Sequence, residues 1–551
     1  MQLTDTTTNW AEQPIELKLP TSYKADDNAI YKVKIKKDDD KVSKKDMIVV
    51  SRVPLLATRI LKNLENGTEK VEVSYLYLGH WHTITAGREI WSNNRKIIDL
   101  AGQGLPIDSE IAKGLVGYLA EMLILNADII PVVKSINHLG WYNDKFIPYN
   151  EYVLFDSVQE FQDIYKSVEQ KGDLQSWLKT ILKVRENIAV RLFIDASFAS
   201  VLVEPLNLLP FVTHIWGGTG TGKTVALMCA ASVWGNPRPG KLTRTMNMTN
   251  NAIMSLAATL RNLPFFGDEL QTIKDKYGYD KLIMQITEGI NRGRMSKNGE
   301  MQDMKSWKNI FLFTGEEPCT TDGSGGGTRN RVIELECTSE IIKNGREVVE
   351  IITKNYGTAG KYFIEHLPEI TRIASYFTVF QKSIDLHCET TAKQRDALAL
   401  LCTADELFHE IFKTDEHELD FDTESQYNPL FCLKTDTEVD GPIRAYDWLI
   451  DYVNEHSRNF IQIDKTDKDL GFTGEGGNLP AFWGKIDTDN GTVSIIKSVL
   501  ERELKNAGFS FDACKKAWKE TGLLVTRSDG KYARDMRFNH RFVKCIVIKL
   551  Q

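Results

Sequence analysis

Residues Gly217-Gly218-Thr219-Gly220-Thr221-Gly222-Lys223-Thr224 carry the pattern G-x-x-x-x-G-K-[ST]. Closely spaced glycines let successive backbone N–H groups curl around a phosphate chain, and a helix that follows adds partial positive charge. Lys223 then reaches the β- and γ-phosphates, and the Thr224 hydroxyl is a ligand for Mg²⁺. In Leu263-Pro264-Phe265-Phe266-Gly267-Asp268-Glu269 an apolar run ends in two acids, about 45 residues after Lys223. Asp268 suits the Mg²⁺ shell, and Glu269 suits orienting and deprotonating an attacking water. Thr314 closes a third apolar run, Trp307 to Phe313, where it could sense a γ-phosphate or simply cap the next turn. Arg329 and Arg331 follow the glycine cluster Gly323 to Gly327. They fit a charge-stabilising arginine for phosphoryl transfer, or surface charges pairing with Glu334 or Glu336.

The elements that must hold these groups are legible around them. Phe211 to Trp216 reads as a buried strand and Val225 to Ala231 as a helix, so the glycine-rich turn lies between strand and helix. Residues 172 to 210 and Asn250 to Leu260 read as helical, and Val332 to Leu335 as a further strand. Asn298-Gly299 predicts a two-residue hairpin turn, with Lys297 at its tip and Arg292 and Arg294 on its shoulder.

N-terminal to this core, residues 1–50 read as a polar leader and 51–171 as a β-rich domain, with one helix from Asp108 to about Leu125. The core spans 172–415, and 416–440 reads as a linker. In 441–551, helices are expected over Ile443 to Val453, Thr492 to Lys505 and Phe511 to Glu520. Strands are expected over Leu523 to Thr526, Tyr532 to Phe538 and Cys545 to Ile548, giving a winged-helix-like module. Between Lys515 and Lys544 stand nine basic and three acidic residues, the reverse of the whole-chain balance. Lys515, Lys516, Lys519, Arg527, Lys531, Arg534, Arg537 and Arg541 would meet DNA phosphates, or the module would serve only packing or protein contacts.

Composition bounds the rest. The 551-residue chain has net charge −7, so any nucleic-acid contact must come from local patches or an interior channel. Eight scattered cysteines without a C-x-x-C pair read as free thiols in a reducing compartment rather than a zinc site. The first residues lack a signal-peptide pattern and no run is long enough to span a bilayer, so a cytoplasmic protein is expected.

In order, the phosphate loop, Phe-Phe-Gly-Asp-Glu, the Asn-Gly hairpin, Thr314-Gly-Glu and Asn330-Arg331-Val resemble the AAA+ ATPases that include minichromosome-maintenance and superfamily III helicases. More closely, the chain resembles the self-loading replication-initiator helicases of staphylococcal mobile elements, over roughly residues 53 to 551. The resemblance implies an α/β AAA+ P-loop core flanked by the β-rich and winged-helix-like domains, using ATP and Mg²⁺. It makes Lys223 and Thr224 Walker A, Asp268 and Glu269 Walker B, and Thr314 sensor 1. Arg331, rather than Arg329, would be an arginine finger donated to the neighbouring subunit. Arg395 would be a sensor acting in trans, with Lys393 its rival. The Lys297 hairpin would grip DNA in the channel of a homo-oligomer, most simply a hexamer. The function implied is ATP-dependent unwinding of DNA for replication of a mobile element. An ATP-switched DNA-loading protein that does not unwind, and a P-loop small-molecule kinase, are the competing readings.

Overall fold

A computed structural model describes residues 7–36, 44–149, 152–156, 159–273, 278–291, 305–422, 424–463, 482–526, 531–538 and 541–550. The chain divides into two units, Met1–Tyr165 and Lys166–Gln551.

In the first unit, Val71, Val73 and Tyr75 alternate inward along the strand Glu69–Tyr77, as period-two patterning requires. That strand lies between Leu55–Asn63 and His80–Gly87 in a five-stranded sheet, and the helix Ala112–Leu125 contributes Leu115, Tyr118 and Met122 to the same core. The helix begins later than expected because Asp108 accepts hydrogen bonds from the Glu110 and Ile111 amides (2.9 and 3.2 Å), forming a turn before it. The expected polar leader does not separate from this domain. Leu17, Leu19, Tyr23, Ile30 and Val50 are buried in the same core as Val71 and Val73, and the Tyr23 hydroxyl donates to Glu121. The dense charges of Lys34 to Asp46 obscure, in sequence, a three-stranded sheet that buries Tyr23, Ile30 and Val50 while Met47, Ile48 and Val49 stay exposed.

The second unit is built on a parallel sheet. Its strands are β1 (Phe211–Gly217), β2 (Thr243–Thr245), β3 (Phe265–Asp268), β4 (Ile310–Gly315) and β5 (Val332–Cys337), in spatial order β2-β3-β4-β1-β5. All four pairings are parallel. Central strands of such sheets are covered by helices and read as continuous apolar runs, which is why Phe311, Leu312 and Phe313 are all fully buried. Helices α1 (Ile188–Ala199) and α2 (Lys223–Ser232) both pack on β4. Helix α3 (Asn250–Leu260) runs over the residues expected, capped by the Thr249 side chain on the Ala252 amide.

A buried ionic network joins α1 to α4 (Ala392–Phe412). Arg185 pairs with Asp195, Asp405 (2.7 Å) and Glu416 (3.0 Å), while Arg191 forks onto Asp405 through Nε and Nη2, both at 2.7 Å. Burial would raise the Asp405 carboxyl, but His409 and the two guanidinium groups outweigh it and hold it below the usual range. Removing one partner leaves the others charged and desolvated. Asp405→Ala is expected to cost about 3–5 kcal/mol in chemical denaturation. Glu350→Ala, which breaks an exposed pair with Lys354, should leave the midpoint unchanged.

The expected linker over 416–440 is docked rather than loose. It forms a 3-10 turn Pro429–Cys432 and a short helix Asp436–Val439 closed by a Thr435/Glu438 capping box. Lys434 Nζ bonds Glu334 (2.9 Å) and the Val332 carbonyl (3.1 Å) on edge strand β5.

Beyond it come α5 (Gly441–Glu455), α6 (Lys497–Asn506) and α7 (Phe511–Glu520), with a five-stranded sheet. Thr492 to Lys505 is not one helix: Thr492–Ile496 is a strand paired on both sides, as its β-branched run favours, and the helix starts at Lys497. Leu523 to Thr526 forms only a bridge, Leu524 to Ile548, with no extended strand. Leu449, Val453, Leu500, Leu504, Cys514 and Trp518 close the core of this module.

Candidate active site

The strand–turn–helix unit places the glycine-rich loop at the carboxyl end of β1, between β4 and edge strand β5. Gly217 (φ 146), Gly220 (φ 84) and Gly222 (φ 99) have backbones that residues with a Cβ rarely adopt, and a Cβ on Gly217 would lie 2.3 Å from the Cys337 carbonyl oxygen. Lys223 is buried and donates to the carbonyls of Gly217 (2.8 Å) and Gly218 (2.6 Å) and to Thr221 Oγ1 (3.2 Å). Its ammonium therefore sits inside the curl of the loop.

Strands β3 and β4 bring the acids to the same edge. Thr224 Oγ1 donates to Asp268 Oδ1 (3.2 Å), the Thr314 hydroxyl donates to that same oxygen, and the Glu269 amide donates to Thr314 Oγ1 (3.3 Å). Glu269 has φ 58, a left-handed backbone at the strand end that turns the chain away from β3. Lys223, Thr224, Asp268, Glu269 and Thr314 line one cavity of about 440 Å³. A hydroxyl and a carboxylate oxygen side by side form a hard-oxygen donor pair that fits Mg²⁺.

Gln271, Glu316 and Arg346 border the same cavity, and Glu316 accepts a hydrogen bond from Thr219 Oγ1 (2.8 Å). Only the fold connects Arg346, on a helix after β5, with the loop after β1.

Behind the loop, His214 is the cross-strand partner of Glu334 and is fully buried, with Nδ1 4.0 Å from the carboxylate. Burial lowers the histidine pKa and favours the neutral ring, with Glu334 pulling the other way. Burial would raise the Glu334 carboxyl, but the facing His214, Lys434 and Thr320 groups outweigh it and hold it well below the carboxylate range. Glu334 also accepts from the amides of Cys319 (2.8 Å) and Thr320 (3.0 Å). His214, Cys319 and Glu334 have donor atoms within 4.8 Å of one another. The carboxylate oxygens are already taken by the amides, the Thr320 hydroxyl and the Lys434 ammonium.

The arginines fall elsewhere. Arg331 immediately precedes β5, and its carbonyl accepts from the Val212 amide at the start of β1. It is thus at the amino end of the sheet, six residues before Cys337, which pairs with Gly217. At roughly 3.3 Å per residue that separation is about 20 Å. Its Nη1 donates to the Gly327 carbonyl (2.7 Å), and Arg331 lines a second cavity of about 200 Å³ with Asn330 and Lys393. Arg329 is held by the carbonyls of Thr321 (2.7 Å) and Glu438 (3.3 Å). Arg395 is paired with Asp396 (2.9 Å) and Asp385 (3.2 Å), whereas Lys393 is close enough to Arg331 to feel its charge.

Arg292, Arg294 and Lys297 lie outside the described residues. Ile290 and Ser306 form an isolated antiparallel bridge. On α7, Lys516 and Lys519 are exposed, while Lys515 bonds Asp512 (2.7 Å). Lys531 is exposed and Arg534 donates to the Thr526 carbonyl (3.2 Å). Arg527 falls outside the described residues, and Arg537 and Arg541 are placed only as backbone in strands.

The loop and the acid pair both lie in a stretch that matches a known family. Residues 23–306, more than half the chain and including both, match the family described as "Domain of unknown function (DUF927)". The chain belongs to the DUF927 family. Residues 440–551, which hold α5, α6 and α7, match a second description, "Cch helix turn helix domain". This DUF927 member shares its fold with a solved structure titled "SCCmec type IV Cch - active helicase", at 19% identity and TM-score 0.66 over 96% of this chain and 97% of that one. The resemblance to mobile-element initiator helicases thus holds at the level of the whole-chain fold and the helix-turn-helix domain. An apo structure of the NrS-1 C-terminal region aligns at 11% identity and TM-score 0.31, covering 89% of this chain and 95% of that one. No curated protein matches in sequence. No helix among the described residues is long and apolar enough to cross a membrane, and all eight cysteines are free.

The close approach at Gly217 gives a direct check on the loop. Gly217→Ala should lower the thermal midpoint, by a loss of about 1–3 kcal/mol, and weaken binding of a fluorescent ATP analogue.

Proposed function

We propose that this DUF927 protein is an AAA+ ATPase that unwinds DNA as a ring, most simply a hexamer, in the replication of a mobile genetic element. The observation that carries the reading is the position of Arg331, about 20 Å along the sheet from the loop that holds Lys223. An arginine there cannot reach its own chain's phosphates. It can stabilise the charge on a nucleotide bound by the next subunit, which makes hydrolysis a property of the interface.

In this reading the amides of Gly218 to Lys223 and the Lys223 ammonium bind the ATP phosphates. Thr224 and Asp268 would hold Mg²⁺, which screens the phosphate oxygens when bound. Glu269 orients a water and takes its proton, and Thr314, already bonded to both Asp268 and the Glu269 amide, keeps acid and strand end in register. Lys393 lies beside Arg331 and is the better second cation in trans, since Arg395 is neutralised by two aspartates. Arg292, Arg294 and Lys297 would track DNA in the channel. Lys515, Lys516, Lys519 and the basic residues Arg527 to Arg541 would place the helix-turn-helix module on duplex phosphates.

Lys223→Ala should abolish nucleotide binding and DNA-stimulated hydrolysis, whereas Glu269→Gln should keep ATP bound and lose turnover by 10²-fold or more, on the order expected for a lost general base. Lys223→Ala and Arg331→Ala should each be inactive alone, and mixing them should restore ATPase activity because some interfaces then carry both groups intact. Unwinding of a forked substrate by the Lys223 variant, or mixtures that stay inactive, would overturn the reading.

A further inference from the structure

The segment 316–325, between β4 and the turn preceding Arg331, touches both ends of the second unit. It begins at Glu316, which borders the nucleotide cavity and holds Thr219 of the glycine-rich loop at 2.8 Å. Its middle is fixed, because the Cys319 and Thr320 amides both donate to Glu334. Its far end is gripped by α5, where Arg444 donates to the carbonyls of Asp322 and Ser324, the latter at 2.7 Å.

The tip then meets the turn between α6 and α7. Gly323 and Gly508 lie backbone against backbone: a Cβ on Gly508 would be 2.6 Å from the Gly323 oxygen, and one on Gly323 would be 3.0 Å from the Ala507 oxygen. Gly508 (φ 87) also closes α6, with the Phe509 amide returning to the Leu504 carbonyl at 2.8 Å. Arg444 lies over the Phe509 ring at 5.7 Å. The same turn sets the angle of α7, which carries Lys515, Lys516 and Lys519.

We propose that segment 316–325 couples the nucleotide cavity to the helix-turn-helix module, so that triphosphate and duplex DNA change each other's affinity. The proposal rests on the nucleotide reading above. Phosphates entering the cavity bring negative charge toward the Glu316 carboxylate and compete for the loop groups around Thr219. Glu316 is displaced by like-charge repulsion, the Glu334 clamp at Cys319 and Thr320 acts as a fulcrum, and the displacement appears at Asp322 to Ser324. There it is read by Arg444 and by the Gly323–Gly508 contact, which leaves no slack for the tip to move without the turn. Because the coupling is an equilibrium free energy, it acts equally in both directions.

The full-length chain would be titrated against a fluorescent DNA duplex closed by hairpins at both ends, at fixed salt, with and without a non-hydrolysable ATP analogue. The helix-turn-helix face can bind such a duplex, whereas a channel cannot thread it. The parent should show a change in Kd of about fivefold or more, the lower range of typical couplings. Arg444→Gln and Gly508→Ala should each bring that ratio to near unity while binding the analogue as the parent does in the absence of DNA. Hydrogen exchange of the parent provides a check that needs no variant: analogue binding should alter exchange at 507–510 as well as at 316–325. An unchanged parent Kd, a ratio retained in both variants, or exchange at 507–510 that ignores the analogue would overturn the coupling. A parent that fails to bind the analogue at all would overturn the nucleotide reading first, and the coupling with it.

Discussion

The parallel pairing of β1 with both β4 and β5 is the constraint on which the rest depends. Parallel register puts every strand's carboxyl end at one edge, so the glycine-rich loop after β1 stands beside Asp268 and Thr314 without long side chains having to reach. The same register sends the residue before β5 to the opposite edge. Lys223 and Arg331 therefore stand at opposite edges of one sheet, and the proposed trans arrangement follows from that separation.

The neighbouring pair His214 and Glu334 shows how the edge of this sheet is closed. Glu334 gathers two amides, a hydroxyl and the Lys434 ammonium, and so ties together a strand, the segment after β4 and the chain leading to α5. A carboxylate so supplied with donors stays ionised despite its burial. What reads as a linker in sequence is thereby packed onto the parallel sheet. The C-terminal module is joined through Lys434, Arg329 and Arg444 rather than by a free tether.

Much of the candidate site was legible because its residues are local in sequence. The loop from Gly217 to Thr224, the Asp268-Glu269 step and Thr314 each follow an apolar run, and period and turn chemistry suffice to place them. Other parts were not legible for identifiable reasons. Charge density from Lys34 to Asp46 hid the strands that join the first fifty residues to the N-terminal core. The run Thr492 to Ile496 abuts a helical stretch without a glycine or proline to separate them, so one helix was expected where a strand and a helix form. Arg395 and Lys393 stand two residues apart on α4, and only packing decided which one meets aspartates and which meets Arg331.

The sequence by itself determined the residue types at the carboxyl edge: a glycine-rich loop, an acidic pair and a polar strand end, each specified by neighbours within a few residues. Tertiary structure alone decided which end of the sheet Arg331 occupies, that Glu334 faces His214, and that Gly323 lies against Gly508. Those relations join segments a hundred or more residues apart in the chain, as in the 120-residue span between Arg444 and Ser324. They follow from strand register and backbone contact, which leave no periodic trace in the residues that make them.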